Sequence, residues 1–430
     1  MGHGSVSTLV ACGWLWACGN DPQSPVEGAP ALEAGQASSG SANIDASAPG
    51  MRAATSDSAA SSTDAGSTVA SDADSDVGTG NTDAGGSVTM DGSTADADSG
   101  GRPDVGAADS SPAPDPDRCD IAVLDAATRP QSLMLSGSLG THDPTLIAAH
   151  GRYYLFATGP VDVPGLLAKT SPDLITWRDA PAPLRPNPAW IAQRVPAASN
   201  LWAPDISQFG GLYHLYYSAS SFGSRNSCIG HASRPALDSG SWNDHGAVVC
   251  SSESDDWNAI DPNVIVDQAG TPWLAFGSFW SGIKLIELNM SGARANDKLH
   301  SLAMRDRTRY DGAVEAPVIV RRCGFYYLFV SFDKCCVGAA STYNLRVGRS
   351  ENVLGPYLDT KGVAMMAGGG TPLVAADARF AGPGHNAVLF HGTQAFNVYH
   401  AYSIQQNGSP TLRVSELFWN AEGWPVSGGP

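Results

Sequence analysis

The sequence predicts an all-β fold, a five-bladed β-propeller preceded by a long disordered N-terminal tether. Three observations carry that expectation. Composition changes sharply near residue 118, an aromatic phrase recurs at intervals of 54 to 72 residues beyond it, and a polar Pro- or Gly-containing motif precedes each copy.

The tether comes first. From Asp21 to Arg118 the chain is mostly Ala, Ser, Gly, Asp and Thr, with no Phe, Tyr or Trp. Such a segment buries too little apolar surface to offset its ordering entropy. It holds 17 acidic residues against 3 Arg and no Lys, a net of −14 within a whole-chain −17. The remaining sequence therefore carries only −3, with no basic patch, which argues against nucleic acid as a partner. Residues 1–18, MGHGSVSTLVACGWLWAC, contain an apolar run too short to span a bilayer and no Lys or Arg. They read as a trimmed export or lipoprotein signal. Leu15-Trp16-Ala17-Cys18 resembles a lipoprotein cleavage box in which Trp16 is the departure, and Cys18 would carry the lipid anchor. An uncleaved or misassigned start is the alternative. The expected organisation is thus a signal over 1–18, an acidic linker over 19–118 and a propeller domain over 119–430.

The blades follow from the repeats. GRYYLFATG at 151, GLYHLYYSAS at 211, GTPWLAFGS at 270, GFYYLFVSF at 324 and FNVYHAYS at 396 are variations of one strand, and five copies predict five blades. Just upstream lie THDPTLIAA, WAPDISQF, AIDPNVIVD, VEAPVIV and GPGHNAVLF. These read as the innermost strands, which line the axial channel of a propeller. Asp143, Asp261 and Glu315 each sit eight or nine residues before the Gly of the next phrase, so one blade position is expected for all three. Asp205 breaks the pattern, because its Pro precedes it, and reads as structural. Six Cys lie in the propeller region, of which Cys228 and Cys250 sit in neighbouring strands that could face each other. The adjacent Cys335 and Cys336 read as a structural feature rather than a redox centre.

Converging carboxyl groups can cleave a glycosidic bond if one holds a proton for the leaving oxygen and another is ionised to activate water. A third carboxylate would help by raising the acid's pKa through repulsion, and Asp261 is the candidate. Sugar rings also need aromatic platforms. Trp202, Phe222, Trp257, Phe279 and Trp280 lie near the acid-bearing segments, each with core packing as the competing explanation; Trp202 is the first choice.

Taken in order, HDPTLI, NLWAPDI, SSFGSRNSCIGHAS, NAIDPNVIVD, FGSFWSGI, VEAPVIV, YYLFVSFDKCCVGAASTYNLRVGRS, GPY and GPGHN resemble the endo-1,5-α-L-arabinanases of glycoside hydrolase family 43. The likeness runs from about Leu139 to Trp424. It implies a five-bladed propeller that inverts the anomeric centre, with Asp143 matching the general base, Glu315 the general acid and Asp261 the residue that tunes and orients that acid. His385 in GPGH matches a channel histidine associated with a metal, usually calcium, reached through water. Within these motifs Trp202, Phe222, Asn258 and Ser278 are the candidate substrate contacts. The implied activity is cleavage of internal α-1,5 linkages in arabinan by a secreted or cell-surface monomer. An exo-acting arabinofuranosidase or β-xylosidase, or a non-catalytic sugar-binding propeller, is the alternative.

Overall fold

The computed structural model describes residues 119–125 and 127–430. The expected signal and linker, with Cys18, lie outside the described residues. Five sheets follow one another along the chain. The first blade contains Thr145–Ala149, Arg152–Ala157, Leu167–Ser171 and Thr176–Ala180, with Ser136–Gly137 added parallel to its outer strand. The second is Trp202–Phe209, Leu212–Ala219, Ser227–Arg234 and Asn243–Ser251; the third is Asn263–Val266, Pro272–Phe276, Ile283–Glu287 and His300–Ala303. The fourth runs Val314–Arg322, Phe325–Phe332, Asn344–Ser350 and Thr371–Val374, and the fifth Phe380–His391, Gln394–Ser403, Ser409–Trp419 and Pro425–Ser427. In every blade the four successive strands pair antiparallel in chain order, and the first strands of adjacent blades contact one another in a closed ring. The recurring aromatic phrase is the second strand of each blade, as its spacing predicts.

Continuous apolar runs are what a strand buried on both faces requires. In the fourth blade, Val318, Val320, Tyr327 and Phe329 pack toward the fifth blade with Leu417 and Trp419. Their neighbours Ile319, Leu328 and Val330 point the other way, onto Ala275, Ile283 and Leu285 of the third. Side-chain alternation thus feeds two interfaces from one strand. The same arrangement fills the gaps between blades one and two, two and three, and five and one.

The ring closes with help from the start of the described chain. The Leu133 and Leu412 amides donate to the Val414 and Leu139 carbonyls at 2.8 Å each, so residues 131–140 run along the third strand of blade five before entering blade one. Further upstream, Cys119 is bonded to Cys323, and the Arg322 guanidinium donates to the Cys119 and Ile121 carbonyls. Cys228 and Cys250 are directly opposed in register and form a second disulfide; Cys335 and Cys336 form a third. Among the described residues no helix is long and apolar enough to cross a membrane.

The Cys119–Cys323 bond closes 204 residues of sequence. Loop-closure entropy predicts that Cys119→Ser/Cys323→Ser loses about 2–5 kcal/mol of stability while retaining wild-type turnover, since the bond lies away from the channel residues. Urea unfolding alongside steady-state kinetics checks both halves of that expectation.

Candidate active site

Each inner strand is preceded or interrupted by a residue in the left-handed backbone region: Asp143 (φ 52°), Ala203 (39°), Asp261 (59°), Ala316 (55°) and His385 (49°). A non-glycine residue there is costly and is held only by strong local constraint. The constraint is a hydrogen bond from the backbone N–H to the preceding blade. Ala203 N–H donates to Thr158 Oγ1 (2.8 Å), Asp261 N–H to Ser218 Oγ (3.0 Å), His385 N–H to Ser331 Oγ (2.9 Å) and Asp143 N–H to His400 Nδ1 (3.1 Å). In blade three the corresponding second-strand residue is Gly277, whose own amide donates to the Ile260 carbonyl, and it has no side chain to offer. There the Asp261 carboxylate itself accepts the Ala316 N–H, at 3.1 Å.

This register corrects one expectation. Asp143 and Asp261 occupy equivalent positions, but Glu315 lies one residue earlier, before the left-handed Ala316. The Asp261 hairpin turns at Asp267–Gly270 and is one residue longer, which made the three offsets look alike in sequence. Glu315 instead matches Trp202: they pair with Ser331 and Ser218, respectively, and a register shift follows both.

The groups nevertheless gather at one end of the axis. Asp143 Oδ2 accepts from Thr158 Oγ1 (2.6 Å) and lies 2.7 Å from His142 Nδ1, while Oδ1 lies 3.1 Å from His385 Nδ1. Burial would raise this carboxyl, but His142 and His385 outweigh it and hold Asp143 well below the usual carboxylate range. His385 is pushed down by burial yet lifted to about 9 by Asp143, with Asp261 and Glu315 adding to the effect. His400 is kept well below the usual histidine range by burial and then by His142, so it stands as a neutral acceptor for the Asp143 amide.

Across the channel, Glu315 Oε2 accepts from Ser278 Oγ and Oε1 from the Tyr343 phenol, each at 2.6 Å. Burial is the largest influence on Glu315 and raises its pKa against those two hydrogen bonds. Asp261 is raised well above its ordinary value, by burial first and by the charges of Glu315 and Asp143. The expected reason for a proton-holding Glu315 therefore changes: dehydration dominates, and Asp261 reaches it through the backbone amide of Ala316. An ionised Asp143 facing His385, with protons retained preferentially on the other two acids, limits the net charge of a buried site.

The remaining candidates are placed as follows. Trp202 is half-buried on the channel rim at the Glu315-equivalent position, its indole N–H on Asn200 Oδ1 at 3.0 Å. Ser278 stands against Glu315. Asn258 is 3% exposed and its side-chain oxygen has no hydrogen-bond partner. Phe222 is 78% exposed on the 220–226 loop, which leaves the second strand on the channel-mouth side. Trp257 packs edge-on to Phe276, and Trp280 lies under the Arg225 guanidinium. Asp205 is structural, as expected: it accepts from Asn263 Nδ2 and the Val264 amide, both at 3.0 Å, and burial lifts it to about 7. His142, His400 and Tyr343 are functional neighbours that the sequence pattern does not single out, although each lies within one of the recurring or family-like motifs.

The residues do not make a protein-ligated calcium site. His142, Asp143 and His400 could bring three ligand atoms within 4.8 Å, but two are ring nitrogens and all three groups are engaged with one another. His385 spends Nδ1 on Asp143. Calcium takes six to eight oxygens.

Known proteins resemble this chain in sequence and fold. The model for "Glycosyl hydrolases family 43" matches residues 137–425. An extracellular endo-α-(1→5)-L-arabinanase of Bacillus subtilis is 44% identical over 285 residues, covering 66% of this chain and 86% of that protein. An extracellular exo-α-(1→5)-L-arabinofuranosidase of Cellvibrio japonicus is 40% identical over 299 residues, covering 66% and 85%. Among solved structures, a family 43 endo-arabinanase from Bacillus licheniformis superposes with a TM-score of 0.65 at 44% identity, covering 68% of this chain and 99% of that one. With the fold, the gathered carboxyls and these matches in agreement, the chain belongs to glycosyl hydrolase family 43.

Proposed function

We propose that this protein hydrolyses internal α-1,5-L-arabinofuranosidic linkages of arabinan with inversion. The observation that carries the reading is the opposed environment of two carboxyls on one channel: Asp143 held ionised by histidines, Glu315 biased toward its protonated form by burial. In the proposed step Asp143 accepts a proton from a water that attacks the anomeric carbon, and Glu315 gives its proton to the departing glycosidic oxygen. Asp261 orients Glu315 by holding the following peptide at Ala316. The charge of Glu315 helps to raise Asp261, so the alkaline limb of activity is assigned to both acids. The aromatic residues Trp202 and Phe222, with Asn258, are assigned to the sugar subsites.

The two curated relatives described above support secretion through their extracellular designations. A lipid on Cys18, a monomeric state and a hydrated calcium ion near His385 belong to the same proposal, and no step of the reaction is routed through the ion. A chelator that leaves turnover unchanged removes the ion from it. The exo-acting reading is favoured by the Cellvibrio relative. Viscosity of debranched arabinan distinguishes the modes: internal cutting lowers it well before reducing ends accumulate, whereas monomer from the outset supports exo action.

Glu315→Gln is expected to lower kcat on arabinan by a factor of about 10³ or more with an unchanged melting curve, and wild-type activity in that variant removes Glu315 as the acid. Tyr343→Phe deletes a hydrogen bond that favours ionised Glu315, so its pKa rises and the alkaline limb of the kcat/KM profile moves to higher pH. A limb that stays in place, or moves down, contradicts this assignment.

A further inference from the structure

The loop from Asp333 to Tyr343 touches both sides of the proposed reaction. At its far end Tyr343 donates to Glu315. Near its start Cys335 and Cys336 are bonded to each other, and Cys336 holds φ at +69°. A β-carbon residue in that conformation persists when its surroundings over-determine it. Here the cross-link between neighbouring side chains restricts the intervening peptide, and the Cys336 N–H donates to the Tyr402 hydroxyl at 2.8 Å. That hydroxyl lies 2.7 Å from His142 Nε2, and His142 Nδ1 lies 2.7 Å from Asp143 Oδ2. With the phenol accepting from the amide, its own proton can be presented to Nε2, which leaves the His142 proton on Nδ1, aimed at the carboxylate.

The loop is also packed without slack. A methyl group on Gly384 would fall 1.9 Å from the Tyr343 ring, and one on Gly408 would fall 2.3 Å from the Ala339 nitrogen. His142 stacks on His400 at 3.9 Å between ring centroids, which confines the ring to the plane that meets Asp143.

We propose that the Cys335–Cys336 disulfide is a positioning element for the reaction: it fixes the Cys336 amide on Tyr402, and Tyr402 with His142 transmits that constraint to the water-activating carboxylate of Asp143. The inference rests on the reading of Asp143 as general base. None of the cysteines, Tyr402 or His142 exchanges protons with substrate in this scheme; they hold the base in the orientation in which it receives one.

Steady-state kinetics on debranched arabinan tests it. Tyr402→Phe keeps the ring and deletes the hydroxyl, while Cys335→Ser/Cys336→Ser keeps the amide and deletes the cross-link. Each is expected to lower kcat at least tenfold with KM within threefold of wild type. Combining them should cost less than the product of the two single losses, because both act on His142, which Cys336 Sγ also meets directly at 3.9 Å. A kcat within twofold of wild type for Tyr402→Phe, or for a folded cysteine variant, overturns the proposal, as does fully multiplicative loss. If the serine pair does not melt cooperatively, Cys335→Ala/Cys336→Gly replaces it, since glycine meets the left-handed φ without strain. Failure of both pairs to fold assigns the disulfide to stability alone and also overturns the proposal. The underlying reading fails separately, when wild-type protein leaves arabinan intact or Asp143→Asn retains turnover.

Discussion

Five amide hydrogen bonds, each crossing from one blade to the side chain of the blade before it, are the constraint on which the site depends. They hold Asp143, Ala203, Asp261, Ala316 and His385 in a backbone conformation that L-residues seldom occupy. A left-handed residue at the head of an inner strand turns the local chain so that side chains there face the axis rather than the blade interfaces. The fold then does the rest, because five equivalent heads around one ring can only meet.

The third blade shows how function is built from a gap in this scheme. Where the other blades present a hydroxyl or an imidazole, Gly277 presents nothing, and with φ at +132° and the Gly282 carbonyl 2.6 Å from any β-carbon it has room for nothing. The acceptor is supplied by Asp261 instead. A structural position of the repeat thereby acquires a carboxyl group, in contact with the peptide that follows Glu315. Electrostatics follow from the same crowding. Dehydration raises the pKa of each of these three acids, and Asp143 ends low because His142 and His385 converge on it.

Much of this was legible in sequence because propeller repeats write themselves as intervals. The five aromatic phrases are the five second strands, and the polar motifs ahead of them belong to the five inner ones. Asp143, Asp261 and Glu315 stand out together for that reason, whereas His385 is singled out by the family resemblance. What sequence could not give is the lateral arrangement. The extra hairpin residue after Asp261 disguised the one-residue offset of Glu315, and Thr158, His400 and Tyr343 act from neighbouring strands and loops whose partners lie 15, 257 and 28 positions away. Cys119 to Cys323 is a similar case: no spacing rule joins residues 204 apart, and only closure of the ring brings them together.

That closure has a temporal side. Asp143 is made early in synthesis, in the first blade, but His385 and His400 belong to the last, and the outer seam of blade five is filled by residues 131–140. A nascent chain consequently carries its future base in an unfinished setting, a carboxyl lacking two of its imidazole neighbours, until the ribosome has delivered the fifth blade. Hydrolytic competence would therefore arrive late and abruptly, with the final blade serving as the latch.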